Sequence, residues 1–230
     1  MPRNQHESTP ILAGFGVIFD MDGVLVDSYR PHFESWRGLA LELGYDLNES
    51  QFAATFGRTS REIIQQLFHT HDDAAIRQMD DRKESLYRDI IRENVPEMPG
   101  ARDLIASIHA AGASIAIGSS GPPENVELIR DALRLNDRLA ACITGADVSR
   151  GKPDPQVFTL AAERMMLPPD RCIVIEDAPA GIEAARRAGI RCVALTSSHP
   201  RDRLSAANTI IGALSELNPL RIKAILDNGK

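Results

Sequence analysis

The stretch Val17-Ile18-Phe19-Asp20-Met21-Asp22-Gly23 constrains this chain more than any other. Three apolar residues run straight into two carboxylates that flank a single methionine. A short apolar run of this kind reads as a strand buried on both faces of a parallel sheet. Its polarity changes at the C-terminal end, which in open α/β sheets is where ligands bind. In an extended backbone Asp20 and Asp22 point the same way. Two like charges that close call for neutralisation, and a divalent cation is the usual answer. A polar turn with an Asx hydrogen bond accommodates the same residues, so the stretch by itself leaves both readings open.

The rest of the chain narrows the choice. The pattern predicts a first strand over 11–19. From 28 to 98 it turns helical, with no convincing strand. Phe33, Trp36, Leu39, Ala40 and Leu43 recur at helical spacing, and Thr59 with Glu62 has the capping-box form ahead of Ile63, Ile64, Leu67 and Phe68. Residues 73–92 read as a further helix. After Pro99-Gly100, strands and helices alternate: helix 101–111, strand 114–118, helix 122–135, strand 141–144, helix 155–166 with Asp154 as cap, strand 172–175, helix 179–188, strands 192–195 and 209–211, then a last helix. That alternation implies a parallel sheet covered on both faces, with a separate helical unit inserted after the first strand beside the strand ends.

Composition removes several classes. At 230 residues, the chain suits one large domain or a domain with an insert. A net charge of −6 argues against a nucleic-acid or anionic-membrane binder. No apolar run approaches the roughly 20 residues that span a bilayer. Cys142, Cys172 and Cys192 have neither zinc nor CxxC spacing and read as buried thiols in a reducing compartment. The first ten residues are polar, hold two prolines and lack the apolar run of a signal peptide, so residues 1–10 are expected as a flexible tail and the protein as cytoplasmic.

Four polar clusters fall at, or just after, strand ends: Asp20/Asp22, Ser119, Lys152 and Glu176/Asp177. Parallel strands gather such ends in space. Carboxylates without histidine or thiolate suit a hard ion such as Mg²⁺, and a lysine and a hydroxyl beside it suit phosphate oxygens. Singly, Ser119 and Glu176-Asp177 could cap helices and Lys152 could be a loop lysine. Their joint placement is hard to explain that way.

The motifs Asp20-Met21-Asp22-Gly23-Val24, Ser119, Gly151-Lys152-Pro153-Asp154-Pro155 and Ile175-Glu176-Asp177-Ala178-Pro179 resemble, in content and order, those of the haloacid dehalogenase (HAD) superfamily. The resemblance implies an α/β fold: a Rossmann-like parallel sheet core flanked by helices, over 11–27 and 99–230, with an inserted all-helical cap domain, 28–98, after strand 1. It also implies roles. Asp20 is the nucleophile that becomes an aspartyl phosphate and Asp22 the general acid, then base. Ser119, Ser120 and Lys152 hold the phosphoryl oxygens. Asp20, Asp22 (through its backbone carbonyl), Glu176 and Asp177 make the Mg²⁺ site. The insert resembles that of phosphatases and β-phosphoglucomutases with a helical cap, which implies substrate contacts for His32, Arg61 and Lys83. Against the mutase pattern, Gly57-Arg58-Thr59-Ser60-Arg61 is one residue longer than Gly-x-Ser-Arg, and Ser120-Gly121-Pro122-Pro123 lacks a lysine.

The expected protein is therefore a monomeric Mg²⁺-dependent phosphatase of a small phosphorylated metabolite, a sugar phosphate above all. A phosphomutase and a non-catalytic metabolite sensor are the alternatives. A dehalogenase has no need of the Glu176/Asp177 pair. Gly14-Phe15-Gly16 precedes its strand and lacks the third glycine of a dinucleotide fingerprint. The sequon Asn48-Glu49-Ser50 carries no message in a cytoplasmic chain.

Overall fold

The structure, a computed structural model, describes residues 9–55 and 58–228. Most of the expected tail (1–8) and Gly57 lie outside the described residues.

The first strand is shorter than the pattern suggests. β1 spans only Gly16–Phe19 and is buried throughout. Residues 11–14 turn instead, because Gly14 takes a φ of 76° and the Phe15 amide donates to the Leu12 carbonyl at 3.1 Å. Leu12 still enters the core. The chain continues through α1 (Tyr29–Glu42), α2 (Glu49–Ala53), α3 (Ser60–Phe68), α4 (Asp73–Ile91), α5 (Ala101–Ala110), β2 (Ser114–Gly118), α6 (Pro123–Ala132) and β3 (Ala141–Ile143). It ends with α7 (Gln156–Arg164), β4 (Cys172–Glu176), α8 (Pro179–Arg187), β5 (Arg191–Leu195), β6 (Thr209–Ile211) and α9 (Pro219–Asp227).

Among the described residues the strands form one parallel sheet in the order β3-β2-β1-β4-β5-β6. The winding reverses between β1 and β4, which is the switch point where such sheets open a crevice. Phe19 stands opposite Ile117 on β2 and Ile175 on β4. One residue on, Asp20 is therefore level with Gly118 and Glu176. The two-residue alternation sends Val17, Phe19, Ile117 and Ile175 to one face, with Ile105 and Ile108 of α5 and Ile222 of α9. Ile18, Ala116 and Val174 face the other way, against Phe158 and Ala161 of α7 and Ala185 of α8. Gly118 makes room for that side, since a Cβ there would stand 3.1 Å from the Phe158 ring.

The helices between β1 and α5 have an apolar core of their own, built from Phe33, Trp36, Phe52, Ile64, Phe68 and Ile76 with their neighbours. The Thr59/Glu62 capping box forms as its sequence suggests: the Glu62 amide donates to Thr59 Oγ1 at 3.3 Å and the Thr59 amide to Glu62 Oε2 at 2.9 Å. α2 is too short to reveal a period, yet Asn48 starts it by accepting from the Gln51 amide at 3.0 Å, so the sequon asparagine is a helix cap. The segments that leave and rejoin the sheet run side by side. The Asp27 amide donates to the Pro96 carbonyl at 2.8 Å and the Met98 amide to the Leu25 carbonyl at 2.9 Å.

Two helices, α6 and α7, differ from expectation by more than one residue at an end. α6 stops at Ala132, ahead of Arg134, whose φ of 55° breaks the helix. α7 starts at Gln156 with Pro155 in the cap position, and Asp154 reaches one residue past it, accepting from the Gln156 amide at 3.1 Å. Phe158 is fully buried, so Phe158→Ala should cost about 3–5 kcal/mol of stability by urea unfolding. A loss well below about 1 kcal/mol would contradict this packing of α7 on β2.

Candidate active site

β1 ends at Phe19, but its ladder runs one residue further, because the Asp20 amide donates to the Ile175 carbonyl at 2.9 Å. Met21 then plugs into the core and Gly23, at φ 77°, turns the chain back. Space as well as conformation requires that glycine. A Cβ on it would lie 1.9 Å from Asp177 Oδ2. Gly181, in the first turn of α8, is placed alike: its Cβ would fall 1.6 Å from Glu176 Oε1.

The register and these two glycines bring Asp20, Glu176 and Asp177 together. All three are buried, and each offers an oxygen within 4.8 Å of the others. Lys152 reaches in from the loop before α7, donating to Asp20 Oδ1 at 2.5 Å and Glu176 Oε1 at 2.7 Å. The other oxygen of Glu176 accepts from the amides of Asp177 and Ala178, both at 2.7 Å. Glu176 is thus a brace, with both oxygens engaged. The Ser198 hydroxyl donates to the Asp177 carboxylate.

Three carboxylates share one ammonium. Burial pushes Asp20 up to about 7, with Lys152 pulling it down and Glu176 pushing with burial. Burial, then Glu176 and Asp20, push Asp177 well up. A divalent cation would relieve this excess of negative charge, and a donor set of oxygens without histidine or thiolate suits a hard one.

Asp22 points elsewhere. Its carboxylate does not join the trio expected to hold metal; Oδ1 lies 3.3 Å from His32 Nε2 and from the Tyr87 hydroxyl. Lys83 Nζ, which has only protons to give, stands 2.9 Å from His32 Nδ1. His32 Nδ1 therefore accepts and Nε2–H faces Asp22. Burial alone would raise the Asp22 carboxyl, but the His32 contact, with Ser28 and Lys83, outweighs it and holds the group at about 2. The network continues from Lys83 to Glu84 Oε1 at 2.8 Å and from Asn125 to Glu84 Oε2 at 2.6 Å. Arg88 closes it, donating to Asn125 Oδ1 at 2.9 Å. α4 is thereby tied both to Asp22 and to α6 of the sheet unit.

Between the inserted helices and the sheet lies a cavity of about 920 Å³, bordered by Asp22, His32, Lys83 and Ser120. A second cavity, of about 570 Å³, opens at the other end of β5 near Arg191, away from the carboxylates. Ser119 is buried at the end of β2 and accepts from the Gly121 amide at 3.0 Å. Arg61 does not reach the larger cavity and instead pairs with Asp73 at 2.8 Å. Arg58 lines the cavity in its place. The extra residue in Gly57-Arg58-Thr59-Ser60-Arg61 is the sequence signal for that change of arginine.

The sequence profile of the haloacid dehalogenase-like hydrolases matches residues 16–189. The chain belongs to that family. Among its haloacid dehalogenase-like relatives, it is 32% identical over 207 residues to validoxylamine A 7'-phosphate phosphatase of Streptomyces hygroscopicus subsp. limoneus, covering 87% of this chain and 94% of that one. It is 27% identical to the β-phosphoglucomutase of Bacillus subtilis, over 87% and 90% of the two chains. A HAD hydrolase of family IA, variant 3, from Entamoeba histolytica superposes with a TM-score of 0.86 at 23% identity, covering 93% of this chain and all of that one. This likeness shows the same fold over 93% of the chain.

Within this HAD-like site, Glu84, Asn125 and Ser198 carry no sequence signature, because each gains its meaning from a contact with a residue distant in the chain. The buried carboxylates also set a pH dependence. Groups whose folded pKa is raised favour the fold at low pH and oppose it as pH climbs through the folded value. For Asp20 that passage lies between about 4 and about 7. The cation-free protein should lose thermal stability over this span. MgCl₂ should raise Tm little at pH 5 and clearly at pH 8, since ligation needs ionised carboxylates. A Tm shift that does not change with pH, read by differential scanning calorimetry, would contradict this account of the trio.

Proposed function

We propose that this chain is a Mg²⁺-dependent phosphohydrolase that removes phosphate from a small phosphorylated metabolite through an aspartyl phosphate on Asp20. The observation that carries the proposal is the split placement of the two aspartates. Asp20 lies against Lys152 and the β4 carboxylates, whereas Asp22 turns to the cavity. One is set to meet phosphorus and the other the leaving group.

When bound, Mg²⁺ would be held by Asp20, Asp177 and the Asp22 carbonyl, with Glu176 as brace, and would supply the positive charge that lets one anion approach another. Asp20 forms the new O–P bond as the ester P–O bond breaks. Ser119, Ser120 and Lys152 hold the oxygens that do not react. Asp22 gives a proton to the departing oxygen and takes one from the water that hydrolyses the acyl phosphate. Ionised in the resting site, Asp22 is ready as a base, and the charge of a bound phosphate beside it favours its taking up the proton it must first donate.

Residues 28–98 act in this reading as a cap over the core formed by 11–27 and 99–230, shielding the phosphoenzyme and reading the substrate through His32, Lys83 and Arg58. Asp80, on the cavity wall, has a carboxylate oxygen with no partner among the described residues. A soft turn about χ2 would offer that oxygen to a substrate hydroxyl, which supports a sugar phosphate. Two of the relatives are named a validoxylamine A 7'-phosphate phosphatase and a β-phosphoglucomutase, which supports a phosphorylated small molecule as substrate. No helix among the described residues is long and apolar enough to cross a membrane. Three free thiols and a net charge of −6 support a cytoplasmic protein that binds no nucleic acid.

A phosphomutase is the second reading, favoured by the His32–Lys83 contact beside Asp22, where a sugar hydroxyl instead of water would accept the phosphoryl group. One incubation separates the two: Mg²⁺, β-glucose 1-phosphate and a trace of glucose 1,6-bisphosphate, followed for inorganic phosphate and glucose 6-phosphate, then a panel of sugar phosphates. Phosphate without isomer is the expected result; fast isomerisation with little phosphate would make it a mutase. On whichever substrate turns over, Asp20→Asn should lower kcat by at least about 10³-fold. A variant that keeps more than a trace of activity would remove Asp20 from the nucleophile's role.

A further inference from the structure

The loop after β5 carries two serines that stand apart from the four polar clusters. Ser197 Oγ donates to the Gly23 carbonyl at 2.6 Å. Ser198 Oγ meets Asp177 Oδ2, with a weaker approach of 3.4 Å to the Asp177 carbonyl, and lies 2.9 Å from His199 Nδ1. A hydroxyl has a single proton to give, and a carboxylate that ligates a cation is ionised and only accepts. The Ser198 proton is therefore committed to Asp177, and His199 Nδ1 must bring its own hydrogen and donate to Ser198 Oγ. The order runs one way, from His199 to Ser198 to Asp177. Its members match a serine-hydrolase triad, but no base faces the serine proton, so Ser198 is not arranged as a nucleophile.

Its role follows from that of Asp177. Rotation of a carboxylate about χ2 is soft, so packing of the backbone does not by itself fix the plane of the Asp177 oxygens. Lys152 engages Asp20 and Glu176, and the amides at the start of α8 engage Glu176. Among the described residues, the side-chain donor to the Asp177 carboxylate is Ser198. Ser197 meanwhile grips the backbone of the β1 loop next to Asp22. The two serines thus join the loops after β1, β4 and β5 around one small volume.

We infer that Ser198, backed by His199 and flanked by the Ser197–Gly23 contact, is a positioning residue for the divalent cation: it holds the Asp177 carboxylate turned towards Asp20 and Glu176. The inference rests on reading the carboxylate trio as a cation site, and its test separates the two. Mn²⁺ binding, followed through the electron paramagnetic resonance of the free ion, reads the site in the full chain without substrate. Ser198→Ala should bind Mn²⁺ about 10–100-fold more weakly than wild type, the range found when an outer partner of a metal ligand is removed. Ser198→Thr keeps the hydroxyl and should stay within about threefold of wild type. Circular dichroism checks that each variant folds. Should Ser198→Ala not fold, Ser198→Cys, with its weaker donor, carries the comparison and should fall below the threonine variant. An alanine (or cysteine) variant that binds as tightly as wild type, or tighter, overturns the positioning role and leaves the cation site standing. A wild-type protein that binds no Mn²⁺ overturns both.

Discussion

Three buried carboxylates share one ammonium at the end of two neighbouring strands, and much of the surrounding structure exists to make that arrangement tolerable. Ionised groups so close and so dry oppose each other. The chain answers with backbone amides on Glu176, with Lys152 between Asp20 and Glu176, and with a serine on Asp177. Gly23 and Gly181 are needed because any side chain would occupy the volume of the carboxylates. The compensation remains incomplete, as the raised Asp20 and Asp177 carboxyls indicate. Strain of this kind is retained at sites where chemistry uses it.

The sheet delivers the trio without special devices. A parallel sheet that reverses its winding between β1 and β4 puts the ends of those strands side by side. A register that pairs Phe19 with Ile175 then makes Asp20 and Glu176 neighbours. The apolar run of β1 is buried on both faces, so a slip by one residue would exchange its two sets of core contacts and carry Asp20 out of the site. Fold and site are in this sense the same decision.

Much of this was legible in the sequence. β2 and β6 fall on the residues that alternation selects, and the Thr59/Glu62 box starts α3 as written. Those features are local, and local chemistry decides them. Where the outcome depends on distant contacts, the sequence is silent. Asp20 and Asp22 alternate along the chain, which suggests a common direction. The turn at Gly23 and the approach of His32 and Tyr87 part them. Arg61 carried the expected pattern, but it pairs with Asp73, and Arg58 stands on the cavity. Ser197 and Ser198 follow a strand with no distinguishing motif, and Ser197 finds its partner 174 residues away in sequence. The separation of the aspartates also has a consequence for the inserted helices: whatever moves α1 and α4 moves His32, Lys83 and Tyr87, and with them the groups that hold Asp22 ionised.

The central claim is that Asp20 accepts the phosphoryl group beside a cation held by the buried carboxylates. The most direct measurement is a crystal structure of the protein grown with Mg²⁺ and beryllium fluoride, which mimics a phosphoryl group on a carboxylate. The account predicts beryllium bonded to a carboxylate oxygen of Asp20, its fluorides facing Ser119 and Lys152, and Mg²⁺ against Asp20 and Asp177. An adduct on another side chain, or clear density for Mg²⁺ at the trio with Asp20 unmodified at saturating beryllium fluoride, would contradict it.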